Sequence, residues 1–262
     1  MDLIIKIRKC IWCSKDETKT SFQKLAHTIS QSLGGKNICK NVCDDCNSYF
    51  GRYMDMLPPI ETVLKETFNI SRARFLESKN EIGKNKALPK FSSIYFKVDF
   101  KNRKIAIKDK YKFHSAFQEK VSRQLKRGIY KVYLEELERK EECAHDKKYD
   151  FIREYSRYNL GDYPVIYFLR NHGIIMSCDE WTTNSEICTK EEFKYLLEES
   201  SFFEFELLGH AFGIATSKYW KISFNEYIKK SMNVKANIFK GYKFVSNFND
   251  IDLTLSILND PK

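Results

Sequence analysis

Apolar and polar positions along the chain follow two spacings. Short apolar or alternating runs predict strands at Leu3–Ile7, Phe22–Ala26, Ile38–Val42, Ile94–Phe100, Lys104–Lys108, Val165–Leu169, Gly173–Met176, Phe202–Leu208 and Ala211–Thr216. Gly34-Gly35 marks a turn between the second and third of these, and Lys101-Asn102-Arg103 a hairpin turn between the fourth and fifth. Apolar residues three or four apart predict helices. One starts at Cys43 and carries Tyr49, Phe50, Tyr53, Met54 and Leu57 until Pro58-Pro59 stops it. A second covers Ile60–Phe75 and a short one Phe193–Glu198. The longest, Phe113–Glu142, carries Phe117, Val121, Leu125, Val132 and Leu137 and is expected to break at Gly128. Residues 77–90 are polar and read as a linker. The expected organisation is an N-terminal unit over 1–76, the linker, and an α+β domain over 91–262 that binds DNA, a partner, or a second copy of itself.

With 42% hydrophobic and 15% aromatic residues in 262, the chain has enough apolar material for a core, which excludes global disorder. No apolar run approaches the ~18–20 residues that span a bilayer. The N-terminal apolar stretch is too short for a signal-peptide core, so a cytoplasmic protein is expected. The net charge of +10 is uneven. Residues 1–64 carry 9 basic and 7 acidic side chains, residues 65–150 carry 23 and 13, and residues 151–262 carry 13 and 15. A basic middle third suits a polyanion such as nucleic acid; a plain lysine-rich surface fits equally well. Arg123, Lys126, Arg127 and Lys131, interleaved with Tyr130 and Tyr133, would make a DNA-facing helix or an exposed amphipathic one.

Five of the eight cysteines lie in the first 46 residues, which in a reducing compartment argues for metal rather than disulfides. Cys10/Cys13 and Cys43/Cys46 are two Cys-x-x-Cys pairs, a tetrahedral thiolate set for structural Zn²⁺. Cys39 is left over, either as a competing ligand or as packing. His27 and Asn47 stand inside and just after this frame. His210, in an apolar setting, reads as structural, and His114, His145 and His172 belong to no motif. Trp181 and Trp220 read as core or rim residues.

The order Cys10-x-x-Cys13, Ser21-Phe22, Ala26-His27, Ser32-Leu33-Gly34-Gly35, Cys43-Asp44-x-Cys46-Asn47, Phe50-Gly51 resembles the HNH endonucleases, and its cysteine frame is similar to that of recombination endonuclease VII. The resemblance covers roughly residues 8–60. It implies a zinc-braced ββα unit with a second metal ion, Mg²⁺ or Mn²⁺, in its cleft. His27 would be the general base in phosphodiester hydrolysis, a task that suits an imidazole titrating near neutrality. Asn47 would either ligate the catalytic ion or hold the His27 loop. Many members carry a carboxylate just before the histidine, where this chain has Ala26; Asp44, Asp45 and Asp55 are the nearby substitutes. The function so implied is metal-dependent cleavage of nucleic acid, foremost double-stranded DNA, in restriction or anti-phage defence. The alternatives are a non-catalytic zinc-dependent DNA-binding protein and a nuclease of structured RNA or branched DNA.

Overall fold

A computed structural model describes residues 7–54, 57–82, 91–99, 101–102, 104–109, 111, 114–171 and 201–253. The expected strand Gly173–Met176, the helix Phe193–Glu198, His172, Trp181, Cys178, Cys188, Asp55 and most of Leu3–Ile7 lie outside the described residues. The fold is α+β.

The helical spacing after residue 43 becomes α1, Asp44–Phe50, which ends at Gly51 well before the prolines. The helix α2, Ile60–Ile82, runs through the first residues of the segment expected to be a linker. The hairpin expected around residues 101–103 forms as β1, Phe96–Asp99, and β2, Lys104–Ile107, in antiparallel register.

The spine is α3, Ser115–Glu141, 27 residues long. His114 caps it, its Nδ1 accepting from the Phe117 N–H at 3.3 Å. The break expected at Gly128 does not occur. A Cβ there would lie 2.8 Å from Leu64 Cγ and 2.9 Å from Ile60 Cγ2, so this glycine is where α2 presses against α3. A short helix α4, Asp150–Tyr158, follows.

The strands β3, Val165–Arg170, β4, Phe202–Leu207, β5, His210–Ala215, and β6, Phe239–Phe244, form one antiparallel sheet in the order β4-β5-β3-β6. The helix α5, Phe224–Val234, packs on one face with Ile166, Phe168, Phe202 and Tyr227 in its core. The other face, through Tyr167, Phe205 and Phe212, joins the core of α2, α3 and the cysteine-rich unit. Covering both faces explains why β3 and β5 are unbroken apolar runs. His210 is buried between Tyr167 Oη and Ser71 Oγ, both at 3.3 Å, and burial pushes its pKa down to about 3, so it is a neutral core residue as its surroundings suggested. Among the described residues no helix is long and apolar enough to cross a membrane.

Of the four basic residues of α3 expected to face DNA, Arg127 and Lys131 turn inward, which corrects that expectation for them, while Arg123 and Lys126 stay half-buried and engaged within the chain. Arg127 is 2% exposed; its guanidinium donates to the carbonyls of Tyr155 and Ser156 at the end of α4, to Gln124 Oε1 and to Tyr49 Oη. Lys131 is also 2% exposed and paired with Glu135 at 2.8 Å. Arg123 binds Asn159 and the carbonyl of Gly161, and Lys126 pairs with Asp162 at 2.6 Å. Arg127 therefore ties α3 to α4 and α1. Arg127→Ala is expected to cost about 2–4 kcal/mol, since several charge-assisted bonds go and buried carbonyls lose their donor. Urea unfolding measures this; an unchanged midpoint would put Arg127 back on the surface.

Candidate metal centre and catalytic site

The N-terminal unit is built around turns rather than a regular hairpin. Where strands were expected there are two isolated antiparallel bridges, Lys9↔Asp16 and His27↔Ile38. Residues 26–28 and 37–39 still pair, through Thr28 N–H to Asn37 O at 3.0 Å and Cys39 N–H to Ala26 O at 2.9 Å. The turn between them holds one 3₁₀ turn, Gln31–Leu33, closed by Gly34 at φ 87°. A Cβ on Gly35 would lie 1.9 Å from Ile29 O, so the second glycine lets the chain fold back on itself.

These turns bring four thiols together. The Sγ atoms of Cys10, Cys13, Cys43 and Cys46 all lie within 4.8 Å of one another, and three of the four residues are buried. No other cluster of three or more such ligand residues exists among the described residues. The cluster fits a structural zinc site. The sulfurs already attract donors: the Cys43 N–H points to Cys10 Sγ at 3.4 Å, and Arg157 Nε from α4 to Cys46 Sγ at 3.4 Å. Arg157 also lies over the Tyr49 ring at 3.8 Å, so its charge is fixed beside the sulfurs, where a tetrathiolate centre needs a counter-charge. In the thiol form a hydrogen bond from Cys46 pulls Cys10 down to about 5, while burial raises Cys13 to about 11. Cys39 is buried in the core and its thiol is raised by that burial, so it serves packing.

His27 and Asn47 come to one edge of this unit. Asn47, on α1, donates from Nδ2 to the carbonyl of Leu25 at 3.4 Å, two residues before His27. His27 is half-buried, with its Nε2 at 3.0 Å from Gln31 Nε2. The acidic candidates are placed elsewhere. Asp44 accepts from Ser21 Oγ, Gln23 N–H and Lys24 N–H. Burial works to raise its carboxyl, but these hydrogen bonds outweigh it and hold the group below its ordinary value. Asp45 is exposed, and Ala26 is 1% exposed with its side chain in the core. The described residues therefore do not make an all-protein cage for a catalytic divalent ion.

Support for the His27 loop comes from the far side, which sequence reasoning missed. Lys131 Nζ donates to the His27 carbonyl at 3.2 Å and is buried against Glu135, with Glu61 at 3.8 Å. Glu135 accepts from Trp12 Nε1 at 3.0 Å, Glu136 from Thr28 Oγ1, and Glu138 from Asn41 Nδ2 at 2.6 Å. Burial pushes Glu135 up to about 7, while Lys131, despite its own burial, is raised by the two carboxylates beside it. One face of α3 is thus a row of polar clamps on the cysteine-rich unit. No local signal announces it, because its partners are about a hundred residues away.

Comparison with known proteins agrees with this geometry. Residues 10–57 match the family model described as HNH endonuclease. No curated protein and no solved structure matches the chain. The segment over residues 10–57 is an HNH unit, which implies nucleic acid as substrate.

Proposed function

We propose that the protein is a metal-dependent endonuclease that hydrolyses phosphodiester bonds of double-stranded DNA, in a cytoplasmic restriction or anti-phage defence role. The observation that carries this reading is the Asn47–Leu25 contact, which fixes the His27 loop to α1 at the edge of the cysteine cluster.

In this reading His27 takes the proton of the attacking water. Gln31 sets which ring nitrogen does so. As placed, the Gln31 amide N–H donates to Nε2, leaving the neutral ring's proton on Nδ1. With the amide turned over, its oxygen holds an Nε2–H and frees Nδ1 as the base; the two forms differ by the amide rotation and by exchange of the ring proton from Nδ1 to Nε2 through solvent. Lys131 fixes the backbone of His27, so the ring's swing is limited to its own side-chain torsions. The zinc cysteines hold the scaffold and leave the chemistry to the loop. A bound Mg²⁺ or Mn²⁺ would neutralise charge on the scissile phosphate and leaving oxygen. Asn47 Oδ1 would be the protein ligand for that ion, and water and the substrate phosphate would complete the shell.

The buried Ala26 favours a second reading, a non-catalytic zinc-dependent DNA-binding protein. A plasmid-nicking assay separates the two. We expect nicking at millimolar Mg²⁺ or lower Mn²⁺, negligible affinity for either ion without DNA, and loss of nicking in Asn47→Ala. If no divalent ion supports cutting of plasmid, branched DNA or structured RNA, the binding reading stands.

A further inference from the structure

With Arg127 and Lys131 of α3 buried and Arg123 and Lys126 paired within the chain, exposed lysines that pair with no carboxylate among the described residues gather around α5 and β6. We propose that this face binds single-stranded nucleic acid, stacking bases on Tyr219, Trp220, Tyr242 and Phe244 and holding phosphates with the lysines among them. The site is separate from the HNH unit and does not depend on His27 cutting anything.

Residues 217–244 contain seven lysines and one glutamate, although residues 151–262 as a whole are close to balanced. Two of the seven are occupied: Lys235 is buried with Glu204, and Lys230 pairs with Glu226. Lys218, Lys221, Lys240 and Lys243 are exposed, and among the described residues none of them forms an ion pair with a carboxylate. Interleaved with them are aromatics that a folded chain ordinarily covers. Tyr219 is 64% exposed, Phe244 41% and Tyr242 37%.

Tyr242 and Phe244 join Trp220 and Phe224 in one connected cluster of rings, with Tyr219 next to Trp220 in the chain. Phe224 touches Phe244 at 5.1 Å and Tyr242 at 6.2 Å between centroids, and Trp220 reaches Phe244 at 6.4 Å. Lys218 lies over Tyr219 and Lys221 over Trp220 at 4.9 and 5.8 Å. Among the described residues β6 is the last strand of its sheet, so no described strand flanks this row on its outer side.

The chemistry selects the ligand. Lysines alone would serve any polyanion, a duplex included. Exposed ring faces add something only for bases that are not already stacked within a duplex. A second copy of the chain is disfavoured, since two identical faces would bring lysine against lysine.

The test is fluorescence anisotropy of the full-length, zinc-loaded protein with a dye-labelled oligothymidylate or oligouridylate of about 20 nucleotides, longer than one stacking site. No divalent ion is added, so cleavage does not intrude. Tyr242→Leu/Phe244→Leu keeps an apolar cover over Phe224 but removes the π-faces; it is expected to bind about tenfold more weakly for each stacked base it forgoes. Lys218→Gln/Lys221→Gln, at exposed positions over Tyr219 and Trp220, is expected to reduce the log–log salt slope by about 0.7 for each phosphate no longer neutralised. The proposal is overturned if the leucine variant binds as the wild type does, if the slope is unchanged in the glutamine variant, if neither oligonucleotide binds, or if a duplex of the same length competes equally well.

Discussion

Protein purified without added zinc is expected to carry one zinc per chain, and to lose it together with its N-terminal structure in the Cys43→Ser/Cys46→Ser double variant. The size of the effect follows from what else holds residues 7–54 together. The regular strands expected there are reduced to single bridges, and α1 has only seven residues. Four sulfurs within 4.8 Å therefore join two Cys-x-x-Cys segments that lie about thirty residues apart in the chain. In small zinc units the metal contributes an apparent ~10–16 kcal/mol, as large as the whole stability of a typical domain. Contacts to α3 retain part of this here, so the expected outcome is local unfolding rather than collapse of the sheet. Metal analysis reads the stoichiometry. Trp12, 1% exposed and bound to Glu135, reads the fold, because its fluorescence should shift to the red when a chelator strips the site. Zinc-free native protein, or a fully loaded double variant, would sink the assignment.

His27→Ala should reduce nicking by about 10²–10⁴-fold, the usual cost of losing a general base. The fold should survive, because the ring is half-buried and its side-chain hydrogen bond is to Gln31 on the same turn. What ties this position to the rest of the molecule is its carbonyl, bound to Lys131, which alanine keeps. An unchanged melting temperature with lost cutting isolates chemistry from structure. Cutting at the wild-type rate would remove His27 from the reaction.

The residues legible in sequence were those whose spacing encodes a local geometry. Two Cys-x-x-Cys turns, the paired glycines 34 and 35, and the hairpin at 96–107 are each fixed within a few neighbours. So are β3 to β5 and the position of Asn47 just inside a helix. Misread residues were those whose environment is decided at a distance. Lys131 and Arg127 look like solvent-facing charges until Glu135, Glu61 and the α4 carbonyls are brought up to them. Asp44 looks like a helix-terminus carboxylate but spends its oxygens on residues 21–24. The helices α4 and α5 and the edge strand β6 are polar enough on their open sides that the apolar spacing predicts no element there. Charge counted by thirds of the chain averaged the lysines of residues 217–244 against acidic stretches on either side.

The clamp of α3 on the cysteine-rich unit has a bearing on how the protein is made. A ribosome delivers the four cysteines and His27 early, yet the lysine that holds the His27 carbonyl lies 104 residues further along. A nascent chain, or one released early by a truncated message, would have its four cysteines in place but His27 on an untethered loop. Trp12 and Thr28 would then face water in place of Glu135 and Glu136. If His27 is the general base we propose, a cell that synthesises this polypeptide would in that respect be shielded from its unfinished copies. A polypeptide ending before α3 should accordingly take up zinc while nicking no plasmid.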